Sequence, residues 1–282
     1  MHTLNAMGVR LRSLADALAS VLFPAPCRIC GETLETASRI PICSPCLASL
    51  RPYDGPLCNR CGRPIVSPVV RPVLTDVPRL SAGAVPEVLC LVCRRGLYDF
   101  DFARSHGAYT DSLVRAVILL KYHRVGSLGG WFAQRLAEIA AQHPALRDVD
   151  VVVPVPQHSL RLRERGYNHA ELVARPLARC LGLPCRSYLL LRTRPRPEKL
   201  RLTVRERWST VRGAYAVQKS TEVDNLRVLL VDDVFTTGAT LDACSRALRH
   251  AGASHIAALT VARAVLRGPL PSAERLPKEP YQ

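Results

Sequence analysis

The stretch Arg227 to Thr240, RVLLVDDVFTTGAT, constrains this chain most, because it joins an apolar run to an acid pair and then to a small, hydroxyl-rich turn. Val228, Leu229, Leu230 and Val231 are short and β-branched at both ends, which suits a parallel strand buried on both faces. Asp232 and Asp233 then fall at its carboxyl end, where open α/β sheets bind their ligands. Adjacent carboxylates there accept hydrogen bonds from a ribose cis-diol or hold magnesium through water. Thr236, Thr237, Gly238, Ala239 and Thr240 lead into a helix expected over Leu241 to His250. Backbone N–H groups and the positive end of that helix suit a phosphate, and Gly238 permits a backbone angle that other residues resist. The three parts together point to a sugar-phosphate ligand. Walker B magnesium sites and receiver domains also place acids after an apolar strand, but no G-x-x-x-x-G-K-[ST] loop occurs in the chain.

Eight of the eleven cysteines form four C-x-x-C pairs: Cys27 and Cys30, Cys43 and Cys46, Cys58 and Cys61, Cys90 and Cys93. Two thiolates separated by two residues reach one tetrahedral ion from a single turn, and two such pairs complete a four-cysteine zinc site. Gly31 and Gly62 follow the second cysteine of their pairs, where a knuckle needs an unusual backbone angle. Pairing in sequence order gives one zinc on Cys27, Cys30, Cys43 and Cys46 and another on Cys58, Cys61, Cys90 and Cys93; spacing alone leaves interleaved pairing open. A four-cysteine site leaves no position for substrate, so two structural zinc ions are expected. The proline-rich stretch 67–89 reads as a loop hanging from the second site. Cys180, Cys185 and Cys244 read as buried free thiols.

After Cys93 the chain alternates between helical and strand patterns. Ser112 to Tyr122 and Trp131 to Ala141 read as helices, Val149 to Val155 as a second buried strand, His169 to Leu181 as a helix and His255 to Val261 as the last strand. This alternation argues for a parallel α/β sheet with helices on both faces. Between the second strand and its helix, Arg161, Arg163 and Arg165 stand at every second position of an expected loop, placed to clamp a pyrophosphate.

Together these features resemble the ComF branch of the type I phosphoribosyltransferases. The resemblance runs through the proline-valine-proline strand end, RGYNHA at Arg165 to Ala170, the LKY element at Lys121 and Tyr122, and the acid-pair turn. It implies a type I phosphoribosyltransferase-like parallel sheet behind a small zinc-ribbon-like cysteine region. It further implies that Asp232 and Asp233 contact the ribose hydroxyls and magnesium of phosphoribosyl pyrophosphate (PRPP), and that Thr236 to Thr240 hold its 5′-phosphate. Lys121 becomes a candidate phosphate contact. Arg196 and Lys199, on the part of the fold that closes over PRPP, become candidates for the pyrophosphate. Hypoxanthine-guanine phosphoribosyltransferases carry an aspartate where this chain has Thr236, and that aspartate serves the purine base, so purine salvage of that kind is not expected. His169 stands where the family has glutamine and reads as a helix-start residue without chemistry. The resemblance also implies a role in natural transformation, with single-stranded DNA and competence or recombination proteins as partners.

The boundaries expected are an amphipathic helix over 1–23, a zinc-binding region over 24–97, a phosphoribosyltransferase-like domain over 98–267 and a charged tail over 268–282. No run approaches the roughly 20 apolar residues that span a bilayer, and the N-terminal segment is interrupted by Asp16 and ended by Pro24 and Pro26, so a cytoplasmic protein is expected. At 48% hydrophobic content the chain is not a disordered one. Of its net charge of +16, an excess of +10 falls between Arg161 and Arg212. Such a patch favours a polyanion, either a pyrophosphate-bearing substrate or nucleic acid. Aromatic residues are only 5% of the chain, which weakens a base-stacking platform, although Tyr167, Trp208 and Tyr215 lie among the arginines. Two readings therefore stand: an enzyme that transfers phosphoribosyl with release of pyrophosphate, and a non-catalytic zinc-containing DNA- or partner-binding protein that keeps a PRPP pocket.

Overall fold

A computed structural model describes residues 25–35, 38–65, 88–195 and 203–265, with only the backbone at 204 and 205. The helix expected over 1–23, most of the proline-rich stretch 67–89, Arg196, Lys199 and the tail over 268–282 lie outside these residues.

Four strands form one parallel sheet: β1 (Phe102–Ala108), β2 (Val151–Pro154), β5 (Arg227–Phe235) and β6 (His255–Arg263), in the order β1-β6-β5-β2. Two short strands, β3 (Leu190–Arg192) and β4 (Tyr215–Val217), pair antiparallel beside it. The helices in chain order are α1 (Ser44–Ser49), α2 (Leu91–Arg94), α3 (Asp111–Tyr122), α4 (Gly126–Gln142), α5 (Pro144–Arg147), α6 (Ser159–Arg165), α7 (His169–Leu181), α8 (Val204–Val211) and α9 (Ala239–His250).

The pleat sorts the central strands between two cores, because alternate side chains point to opposite faces. Leu229, Val231, Ala257 and Leu259 join α3, α4, α5 and α7 on one face. Val228, Leu230, Ile256 and Ala258 join α8, α9 and the β3–β4 pair on the other. The cysteine region divides the same way. Cys27, Ile29, Leu34 and Ile42 pack into the first core, and Cys58, Cys61 and Cys93 into the second.

The expected parallel sheet with helices on both faces is what the chain forms, and α7 has the bounds read from its sequence. Other features differ from the expectation. Arg161, Arg163 and Arg165 lie on helix α6, not on a loop. His158 caps its start and Gly166, at φ 74°, ends it. Leu160 and Leu162 remain exposed, so α6 carries no apolar stripe by which its sequence announces a helix. Strand β1 is polar in part, and tertiary partners satisfy it: Ser105 meets Thr260 at 2.6 Å and His106 Nε2 meets the Leu50 carbonyl at 2.8 Å. Of the three remaining cysteines only Cys244 is buried. Cys180 faces outward from α7 and Cys185 is half-buried.

Helix α4 starts five residues before its expected Trp131, through Gly126 to Gly130, and it packs against α7. A Cβ on Gly129 would overlap the Leu172 backbone. Gly→Ala in a helix ordinarily stabilises by about 1 kcal/mol. Here Gly129→Ala is expected to reverse that sign and cost about 1–3 kcal/mol, the range for overpacking, as a lowered thermal midpoint would show.

Candidate functional site

Strand β5 continues through the acid pair to Phe235, so Asp232 and Asp233 sit on ordered backbone at the carboxyl end of the sheet, 9% and 4% exposed. The chain then turns through Thr236 and Thr237 into α9, and Gly238 caps that helix at φ 88°. A Cβ at Gly238 would overlap the rings of Tyr98 and Phe235, so both the angle and the space require glycine. Ala239 N donates to Thr237 Oγ1 at 3.3 Å, and the Tyr98 hydroxyl donates to the Thr237 carbonyl at 2.9 Å. The helix begins two residues before its expected start, bringing Ala239 and Thr240 into its first turn.

Two cationic or proton-bearing groups meet Asp233. Lys121 Nζ, from the last turn of α3, lies 2.8 Å from Asp233 Oδ2, and His169 Nε2, at the start of α7, lies 3.0 Å from the same oxygen. Burial opposes ionisation of Asp233, but Lys121 and His169 overcome it and hold the carboxyl well below the usual carboxylate range. Asp232 moves the other way, raised first by burial and then by the charge of Asp233. Two buried carboxylates one residue apart do not both ionise cheaply.

The orientation of His169 is fixed from behind. Asn168 Nδ2 donates to the Val155 carbonyl at 3.0 Å, while its Oδ1 accepts from Ala170 N at 3.1 Å and from Gln157 Nε2 at 3.3 Å. Gln157 Nε2 also meets His169 Nδ1. These contacts turn the ring so that Nε2 faces Asp233. His169 thus starts its helix as expected, yet it also reaches the acid pair, which corrects its reading as chemically idle. Its sequence neighbours gave no sign of this, because the partner lies on another strand.

These groups open onto a cavity of about 220 Å³. Asp232, Asp233, Thr236, Thr237, Ala239 and Thr240 line one side, and Arg161, Arg165, Arg192 and Arg207 line it as well. Arg161 and Arg165, four residues apart on α6, share the cavity-facing side, whereas Arg163 between them does not line it. The three-arginine clamp is therefore a two-arginine face, because α6 is helical and successive alternate residues diverge around its axis. Lys121 lines the cavity with its ammonium on Asp233. Arg192, on the short strand β3, was not singled out by the sequence. Its guanidinium donates to the Tyr215 hydroxyl at 3.1 Å. Arg165 stacks on Tyr122, 4.7 Å from the ring centre, and Tyr122 is 60% exposed at the cavity.

The cysteines gather in sequence order, with the ligand atoms of Cys27, Cys30, Cys43 and Cys46 within 4.8 Å of one another and those of Cys58, Cys61, Cys90 and Cys93 likewise. Each cluster joins a glycine-closed knuckle, with Gly31 at φ 87° and Gly62 at φ 64°, to a second pair at the start of a short helix, α1 or α2. Backbone amides point at the sulfurs: Ile29 N and Cys43 N reach Cys27 Sγ at 3.4 and 3.3 Å, and Cys90 N reaches Cys58 Sγ at 3.3 Å. Amides so aimed support thiolates, and the donor sets fit tetrahedral zinc.

A parallel sheet with an acid pair and a glycine-capped turn at its carboxyl end defines a type I phosphoribosyltransferase fold. A family model described as "Phosphoribosyl transferase domain" matches residues 131–274, and one described as "Double zinc ribbon domain" matches residues 18–74. The chain is similar to "DNA utilization protein YhgH" of Salmonella typhimurium, 28% identical over 236 residues that cover 83% of this chain and 94% of that protein. It is similar to "Competence protein ComFC" of Bacillus subtilis, 25% identical over 79% of this chain and 84% of that one. "Competence protein F" of Haemophilus influenzae is 34% identical over 116 residues, 41% of this chain and about half, 51%, of that protein. The chain belongs to the phosphoribosyl transferase domain family, as a ComF-type member with an N-terminal double zinc ribbon.

Two outcomes test the site. Lys121→Met leaves the buried Asp233 with His169 alone and is expected to cost about 3 kcal/mol, the lower part of the range for a broken buried ion pair, read by denaturant unfolding. Elemental analysis of the purified protein is expected to return about two zinc ions per chain, and one or none would remove the second centre.

Proposed function

We propose that this protein binds PRPP with magnesium in the cavity below β5 and transfers phosphoribosyl to an acceptor with release of pyrophosphate. The observation that carries the reading is the meeting of the acid pair, the glycine-capped turn and a multi-arginine wall around one cavity. In this reading the N–H groups of the Thr236–Thr240 turn hold the 5′-phosphate. Asp232 accepts from the ribose hydroxyls, and Arg161 and Arg165 stabilise the departing pyrophosphate.

The residues fit magnesium in one manner. Lys121 and His169 already hold Asp233 Oδ2, which argues against a carboxylate cage and for an ion that keeps its waters and the phosphates of its ligand. Bound there, magnesium would supply charge neutralisation on the leaving pyrophosphate. The protein's own part is to fix Asp233 between two partners so that ligand binding does not reorganise it. Arg196 and Lys199 remain candidates for the pyrophosphate. The acceptor is a base, an amine or ammonia, and the names of the relatives favour a role in competence or DNA utilization.

A second reading draws on the Arg165–Tyr122 stack, an exposed aromatic beside arginines at the cavity mouth. It supports single-stranded DNA as a partner of a non-catalytic protein, through phosphate contacts and base stacking.

Calorimetric titration of PRPP and magnesium into zinc-loaded protein decides between them. Saturable binding is expected, weakened by about tenfold or more when the charged contacts are removed in the Asp232→Asn, Asp233→Asn double variant, with circular dichroism checking its fold. Absence of binding to the folded wild-type protein would sink the PRPP reading, and salt-sensitive binding of a single-stranded oligonucleotide would then support the second.

A further inference from the structure

We propose that Arg263 is a positioning residue that couples the second four-cysteine cluster to the phosphate turn, so that metal held by Cys58, Cys61, Cys90 and Cys93 sets the shape of Thr236 to Thr240. The first cluster has no such role. The inference deepens the PRPP reading and rests on it for the ligand, but not for the coupling itself.

Arg263 ends β6 and is 2% exposed. Its Nη1 donates to the Cys61 carbonyl at 2.7 Å and its Nη2 to Cys61 Sγ at 3.6 Å, while its Nε has no partner among the described residues. A guanidinium buried this deeply needs a counter-charge, and its polar contacts among the described residues lead to the cysteine cluster. A closed four-thiolate zinc centre carries net negative charge and supplies it. The other face of the guanidinium lies 3.5 Å above the centre of the Phe235 ring, and Phe235 pairs with Arg263 in the sheet register. Phe235 is the residue from which the turn departs.

A second connection runs in parallel. Arg60, between Cys58 and Cys61, donates through Nη2 to the carbonyls of Tyr98 and Phe100 at 2.9 and 2.8 Å. Tyr98 stacks on Phe100, meets Phe235 edge-on, and donates its hydroxyl to Thr237. Gly238 fits against these same two rings. The second knuckle therefore holds the turn from Phe235 and from Thr237. The first cluster packs into the core on the opposite face of the sheet and is partly exposed.

The test uses full-length zinc-loaded protein treated with a chelator in steps. Alkylation and mass spectrometry identify the freed cysteines, and amide hydrogen exchange is followed in residues 235–240. Loss of zinc from the first cluster is expected to leave exchange in the turn unchanged, and loss from the second to remove its protection. Turn protection that survives loss of the second zinc would overturn the proposal. Arg263→Met is expected to release the second zinc about 10-fold to 100-fold faster, as other outer partners of metal ligands do, while Arg263→Lys, which keeps the charge, restores slow release. Wild-type release rates in the Met variant, or a Lys variant as leaky as Met, would also overturn it. Should Arg263→Met fail to fold, the chelator series on the wild type carries the decision. If the turn responds as expected but PRPP does not bind the zinc-loaded wild type, the ligand assignment fails and the coupling stands.

Discussion

The carboxylate of Asp233, buried at the end of the central strand, organises this molecule. A charge in that place is tolerable only with partners, and the fold brings one from each of two helices: Lys121 from the end of α3 and His169 from the start of α7. That requirement draws three segments, distant in sequence, to one point. It also settles the character of Asp232, whose ionisation is opposed by burial and by its neighbour. Both acids line the cavity, but only Asp233 is clamped by basic side chains, a division of roles that a symmetric pair on a solvated loop would not have.

Around that point the sheet is held from both sides by modules of the same chemistry. One four-cysteine cluster joins the core with α3, α4, α5 and α7, and the other joins the core with α8 and α9. They are not equivalent. The second is the more deeply buried and lies behind the turn, with arginines packed against its knuckle. A chain with few aromatic residues concentrates several of them here, with Tyr98, Phe100 and Phe235 in one mutually packed group. Rigid rings transmit position better than flexible aliphatics, which suits a turn whose amides must point one way.

Much of this was legible in the amino-acid order. The apolar run before Asp232, the glycine at 238 and the C-x-x-C pairs each impose a local geometry that few alternatives satisfy, so their readings held. Helix α7 was legible because Asn168 caps its start, Gly182 its end, and its apolar residues keep a 3.6-residue period. Helix α6 was not, since it has caps but no buried face. Strand β1 was missed because its polar residues are satisfied by Thr260 and Leu50, partners that no local pattern reveals. The idle reading of His169 and the looped reading of Arg163 failed for a related reason: a side chain's task depends on what stands opposite it.

The sequence by itself determined the strand, the acid pair, the turn and the cysteine spacing, because each is a short-range demand of backbone geometry or metal coordination. Only the tertiary structure decided how the cysteines group and which arginines face the cavity. It also decided that Lys121 and His169 share one oxygen of Asp233 and that Arg263 lies between a cysteine cluster and Phe235. Those are long-range pairings, fixed by the register of parallel strands and by the need of buried charges for partners, and neither is written in any single stretch of the chain.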